Sequence, residues 1–164
     1  MFMKLHLKRD VSSGDIFYYV FDESGNEKFR AVSVKTKVTK RLYMLIYNRQ
    51  GEAVAKIRRL PIAATNTFVL RVGKKHITFV MVPTKNGVYS YFYGNNWHIN
   101  GDVAAKNFTI IDVDKTVILS HRRHADYCTL EIGSAENELY CVAASICVNS
   151  INTVEKSVMK AAQV

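Results

Sequence analysis

The chain has 164 residues, 48% hydrophobic, with two prolines, which excludes a wholly disordered chain and suits one domain large enough to bury a core without staples. Its net charge of +9 is uneven: from Lys28 to Lys75 there are 13 Lys and Arg against the single acid Glu52, while the rest carries ten basic and 13 acidic residues. Three cysteines, Cys128, Cys141 and Cys147, form an odd set without framework spacing, which argues against a disulfide scaffold and for a reducing compartment.

At the N-terminus, Lys4, Lys8, Arg9 and Asp10 interrupt the apolar stretch that a secretion signal needs, so none is expected. Asp22–Gly25, Asn48–Gly51, Asn86-Gly87 and Asn100-Gly101 read as tight turns, and alternation between them predicts a meander of antiparallel hairpins. FDESGNEKFRA (21–31) and YNRQGEAVAKI (47–57) share one frame, an aromatic, Asp or Asn, two polar residues, Gly, then a strand. Between them, the parity of 32–41 sets Val32, Val34 and Val38 on a buried face and Lys35, Lys37 and Arg41 on a basic solvent face.

A longer echo lays YNRQGEAVAKIRR (47–59) on IDVDKTVILSHRR (111–123) and NTFVLRVG (66–73) on DYCTLEIG (126–133), which suggests a duplicated β-structure. Lys115 stands where the first half has Gly51, and a different turn backbone is expected there. Parity nominates Phe68, Leu70 and Val72, with Cys128, Leu130 and Ile132, as core.

After Gly133 the pattern changes. Ser134 followed by Glu136 and Glu138 reads as a helix start. The run LYCVAASICVNSI (139–151) is apolar on nearly every helical face, with Val142, Ile146 and Val148 expected to be almost wholly buried, and it is too short to span a bilayer. A helix apolar all round must be enclosed all round, and in a β protein a many-stranded barrel encloses one. Residues 152–164 are expected to form a tail or a short amphipathic helix.

The FDESG and YNRQGEAVAKIRR hairpins, the block WHINGDVAAKNFTIID (97–112) and the late apolar helix, in that order, resemble the tubby C-terminal-like group and within it the LURP-one-related proteins, which are also similar to phospholipid scramblases. The resemblance implies a mainly β fold, one domain over 1–164: a closed antiparallel barrel of about twelve strands around a central buried hydrophobic helix at about 136–151. Tubby proteins bind phosphatidylinositol bisphosphate through basic residues on the barrel exterior, so the resemblance implies an anionic phospholipid surface as partner and a location in the cytoplasm or at its membrane face. No lipid-binding motif transfers residue by residue. Charge and parity instead nominate Lys35, Lys37, Lys56, Arg58, Arg59, Arg71, Lys74 and Lys75 as the anion-binding set.

Other readings stand beside it, among them a protein-interaction or structural barrel with no small ligand. The basic third can be a solvated surface that protects strand edges. Alternatively, Tyr89, Tyr91, Tyr93 and Trp97 can be a stacking platform for single-stranded nucleic acid, although alternate tyrosines also suit a half-buried strand. The halves differ informatively: Arg58 and Arg59 correspond to Arg122 and Arg123, which suggests structural Arg pairs, whereas Arg71 corresponds to Glu131.

No nucleophile elbow, P-loop or dinucleotide fingerprint is present, and Asp112 and Asp114 read as turn residues, so neither enzymatic chemistry nor a cofactor is expected. His121, His124 and Cys128 are spaced like metal ligands, but the two histidines have opposite strand parity, and surface or turn histidines are the default expectation.

Overall fold

The computed structural model describes residues 2–10, 12, 17–35 and 42–162, with 35, 42 and 152–162 described by backbone alone. Twelve strands run in chain order: β1 (Met3–Asp10), β2 (Phe17–Phe21), β3 (Glu27–Lys35), β4 (Leu42–Tyr47), β5 (Ala53–Leu60), β6 (Asn66–Val72), β7 (Lys75–Thr84), β8 (Gly87–Tyr93), β9 (His98–Asp102), β10 (Asn107–Ile111), β11 (Val117–Arg123) and β12 (Cys128–Ile132). A short 3₁₀ turn (Ala135–Asn137) leads into the helix α1 (Glu138–Ala162). The strands form one antiparallel sheet in the order β8-β7-β6-β5-β4-β3-β2-β1-β12-β11-β10-β9. Every neighbour except the β1–β12 pair is consecutive in sequence, and β8 and β9 approach each other across the remaining gap. The result is a nearly closed barrel.

The duplication is visible in the register. Arg59 pairs with Phe68 across β5 and β6, and Arg123 with Cys128 across β11 and β12; Ile57 with Leu70 is matched by His121 with Leu130. Phe68, Leu70, Cys128, Leu130 and Ile132 are buried as parity predicts, while Val72 is only partly so. The turns also repeat. Asn48 and Asp112 each accept two backbone N–H groups on the side-chain Oδ1, at 2.9–3.0 Å, and Asp22 does the same. The expected change of backbone at Lys115 is absent. Lys115 adopts φ 63 where Gly51 has φ 78, and each donates its N–H to the turn's first carbonyl at 3.0 Å. Side-chain acceptors and strand pairing on both sides define this turn, so they impose the left-handed conformation on a lysine.

Three further expectations are corrected. Asn100-Gly101 is not a turn: both residues lie within β9, where Gly101 opposes Phe108 and a Cβ would stand 2.8 Å from the Asn107 carbonyl oxygen. The glycine is there for close backbone approach, and the turn itself is Val103 to Lys106. The Ser134 side chain makes no cap hydrogen bond; Glu138 in the first turn of α1 instead pairs with Lys28 of β3. Finally, the faces of 32–34 are reversed. Phe29 and Ala31 are buried, so Ser33 follows them on the core side opposite Met44, while Val32 and Val34 stand half-exposed on the outer face opposite Leu45 and Tyr43. Valine alternation alone cannot separate the two faces when both carry apolar residues.

In α1, the nine consecutive residues Cys141 to Asn149 are all buried, and Val142, Ile146 and Val148 are at most 2% exposed. Nine residues at 3.6 per turn cover every direction, so the helix presents no face to water over that length. It contacts β5, β6, β11 and β12, and its side chains join the strand residues in one hydrophobic cluster. Asn149 and Cys128 are hydrogen-bonded within it: Asn149 Nδ2 donates to the Ser145 carbonyl (2.8 Å) and approaches His121 Nε2 (3.3 Å), and Cys128 Sγ donates to Asn149 Oδ1 (3.5 Å). His121, expected at the surface or in a turn, is fully buried on the core side of β11, stacked on Phe108, with Nδ1 2.8 Å from the Lys106 carbonyl. A carbonyl only accepts, so Nδ1 carries the proton and Nε2 accepts from Asn149.

Candidate anion-binding site

The sheet's register aligns the outer side chains of β3 to β7 in two rows. One runs Val32, Leu45, Lys56, Arg71, His76; the other runs Val34, Tyr43, Arg58, Val69, Thr78. Direct antiparallel neighbours of this kind hold their Cβ atoms about 5 Å apart. Lys56 and Arg71 are therefore like charges placed opposite each other, with His76 next in line, and all three are exposed together with Arg58. Lys56, Arg58, Val69, Arg71, His76 and Thr78 line a shallow hollow of about 290 Å³ that contains no carboxylate. Lys56 Nζ lies 4.6 Å from the centre of the Tyr43 ring, which steadies the cation without neutralising it.

The other cations of the basic segment are disposed differently. Among the described residues, Lys28 pairs with Glu138, Arg30 with Glu27 at 3.1 Å, and Arg49 with Asp22 at 2.7 Å, so these charges have internal partners. Of the eight nominated residues, the sheet brings together Lys56, Arg58 and Arg71. Arg59 has the core-side parity of Ala55 and Ile57 and donates to Asn66 Oδ1 at 2.6 Å. Lys74 and Lys75 sit at the β6–β7 turn in a separate hollow of about 430 Å³ with Trp97 and Tyr140. The Lys35 backbone lies opposite Leu42 at the end of β3, on the parity of Ser33, and Lys37 is outside the described residues.

His76 was not nominated, yet the short β6–β7 hairpin that sets Val72 against Lys75 dictates its place beside Arg71. Its signal was the parity counted back across that turn. The apolar half of both rows was hidden by the reversed face of β3.

The second candidate surface adjoins the first. Tyr93 opposes Thr78 and Tyr91 opposes Val80, so the β8 tyrosines extend the outer face. Tyr89 and Tyr93 are exposed, with ring centroids 5.6 Å (Tyr89–Tyr91) and 5.2 Å (Tyr91–Tyr93) apart. His121 and His124 diverge: His124 Nε2 meets Thr129 Oγ1 at 2.8 Å and its ring stacks on Tyr127.

A nearly closed, twelve-stranded antiparallel barrel with one C-terminal helix is the class that these elements define. The chain belongs to the LURP-one-related family, whose model matches residues 3–149. Its fold is similar to an X-ray structure of a protein from Arabidopsis thaliana, with a TM-score of 0.60, 9% sequence identity and 92% of each chain covered. No curated protein matches the sequence. Among the described residues, no helix is long and apolar enough to cross a membrane.

Proposed function

We propose that the protein is a non-enzymatic binding module whose outer β3–β7 face docks on an anionic phospholipid surface at the cytoplasmic side of a membrane. In this reading the barrel is tubby-like, with α1 as its central pillar, and supplies a rigid platform without chemistry of its own. The observation that carries the reading is the pairing of like charges at Lys56 and Arg71 inside a hollow that lacks carboxylates, continued along the same rows by half-exposed Val32, Leu45, Val34 and Tyr43. Opposed cations on a sheet are mutually destabilising, and a headgroup phosphate between them relieves the repulsion through charge-assisted hydrogen bonds. The apolar half of each row suits the boundary between headgroups and acyl chains, where a basic surface flanked by apolar side chains gains from both contacts.

The exposed tyrosines of β8 favour a second reading, in which single-stranded nucleic acid tracks the basic hollow and stacks on Tyr89 and Tyr93. Both readings weaken with salt, so salt dependence does not separate them. Flotation with phosphatidylserine-containing vesicles, run beside a gel-shift assay with single-stranded DNA at equal ionic strength, does. Co-flotation without a shift supports the lipid reading; a shift without co-flotation replaces it with the second; neither leaves the outer face as a solvated surface.

A further inference from the structure

The loop between β5 and β6 is apolar and faces water. No residue from 60 to 70 carries an ionisable side chain, and its tip, Pro61, Ile62, Ala63 and Ala64, is exposed throughout, with Ile62 at 50%. The hairpins on either side turn on Asn48 and Gly51 and on Gly73 and Lys74, the small polar residues that tight turns use. Turn chemistry therefore does not account for an isoleucine at this tip.

The register places the loop against the basic hollow. Beyond the row of Tyr43, Arg58, Val69 and Thr78 comes a further outer row, Leu60, Thr67, Val80 and Tyr91, which holds no charge. Thr67 shares the outer parity of Val69 and Arg71, yet it is only 2% exposed. Thr65 covers it: its Oγ1 donates to the Ile62 carbonyl at 3.1 Å and accepts from Thr67 Oγ1 at 2.9 Å. This chain of hydrogen bonds lays the loop over the outer face, one row from Arg58, so cations and apolar tip share one surface.

The tip is also prepared for an environment without water. Pro61 has no N–H, the Ile62 N–H donates to the Leu60 carbonyl at 2.9 Å, and the Ile62 carbonyl accepts from the Thr65 N–H at 3.4 Å as well as from its hydroxyl. Peptide groups that lose water without another partner are the main cost of entering hydrocarbon, and both groups of Ile62 already have partners.

We propose that residues 61–64 are the insertion element of the docking face, with Ile62 entering the boundary between headgroups and acyl chains of an anionic bilayer while Arg58 and the hollow hold headgroup phosphates one row away. The inference rests on the membrane-docking reading and adds to it the residue that penetrates. An anionic bilayer offers phosphates outermost and hydrocarbon beneath, which matches a carboxylate-free cationic hollow bordered by an apolar loop.

The test is flotation of the whole chain with phosphatidylcholine–phosphatidylserine vesicles, together with fluorescence of Ile62→Trp measured against the wild type, whose Trp97 supplies the baseline. Vesicles should shift the added tryptophan emission to the blue, and brominated acyl chains should quench it. Ile62→Ser should bind the vesicles about fivefold more weakly, as expected for the exposed half of one isoleucine, and should keep the salt dependence of the wild type because no charge is altered. Ile62 is exposed, so both variants should fold, which circular dichroism checks. Wild-type flotation with no emission shift in Ile62→Trp and no loss in Ile62→Ser overturns the insertion element and leaves the docking reading intact. A wild-type protein that does not float overturns both. A dimer seen by sedimentation that Ile62→Ser dissolves gives the tip to a second copy of the chain and overturns the bilayer assignment.

Discussion

Lys115 occupies the left-handed backbone position that Gly51 occupies in the first half of the chain, with φ 63 against φ 78 and the same 3.0 Å hydrogen bond back to the turn's first residue. A side chain in this region crowds its own carbonyl, at a cost of about 1–2 kcal/mol, part of which glycine gives back through its unfolded-state entropy. Lys115→Gly is therefore expected to stabilise the protein by about 0.5–1 kcal/mol. Urea unfolding monitored by circular dichroism measures it, and a destabilised variant would mean that the lysine side chain contributes a compensating contact.

Ile146 is fully buried in the middle of the nine-residue enclosed stretch of α1. An aspartate there has no partner and no water, a cost of about 3 kcal/mol or more. Ile146→Asp should yield an unfolded or aggregated chain, whereas Ile146→Val should cost only about 1 kcal/mol. A soluble aspartate variant with native circular dichroism would show that this part of the helix can leave its packing.

His121 supplies a pH dependence. Burial holds its pKa well below the ordinary 6.5, at about 4; the bond to Lys106 opposes that shift, and the Lys106 and Arg122 charges reinforce it. Between about pH 6.5 and 4 the unfolded chain binds a proton that the native protein refuses, so stability rises with pH across this window and is lost as pH falls through it. The full effect is on the order of 3 kcal/mol. The half-exposed Asp10 and Asp22, whose carboxyls are lowered mainly by hydrogen bonds from Ser12 and from the Asn26 backbone, act in a separate range below the ordinary 3.8. Urea midpoints at pH 7 and 4.5 should differ clearly in the wild type and much less in His121→Phe. Equal pH slopes in the two proteins would assign the effect to another group.

On the outer face, the double charge reversal Lys56→Glu and Arg71→Glu should weaken association with anionic vesicles at least tenfold, about 1.4 kcal/mol. Both residues are exposed, so the thermal midpoint should change little. Glu131 stands opposite Lys4 on another part of the sheet, and Glu131→Lys should leave vesicle binding unchanged or slightly stronger. Unaltered affinity in the double variant would move the docking surface elsewhere.

Much of this architecture was written in local pattern. The repeated Asx turns, the register of the duplicated hairpins and the enclosed helix follow from residue spacing, because a side-chain period of 2 or 3.6 fixes which faces can be buried. The basic third was also evident, since charge is additive along the chain. Which of the nominated cations meet was decided by strand pairing, which sets Lys56, Arg58 and Arg71 together and adds His76.

Other features required the third dimension. Val32 and Val34 looked like core because valine suits either face of a strand; burial of Phe29 and Ala31 decided that they face outward. Leu60, Val80 and Tyr91 are far apart in sequence, and the pairing of β5 to β8 sets them in one uncharged row with Thr67. Local pattern by itself therefore determined the strands, the Asx turns and the buried helix, since these depend on neighbours a few residues away, while Asn100-Gly101 shows that a turn-like pair can lie inside a strand. Which polar groups converge was left to tertiary structure, because strand order and register set distances that no local pattern encodes.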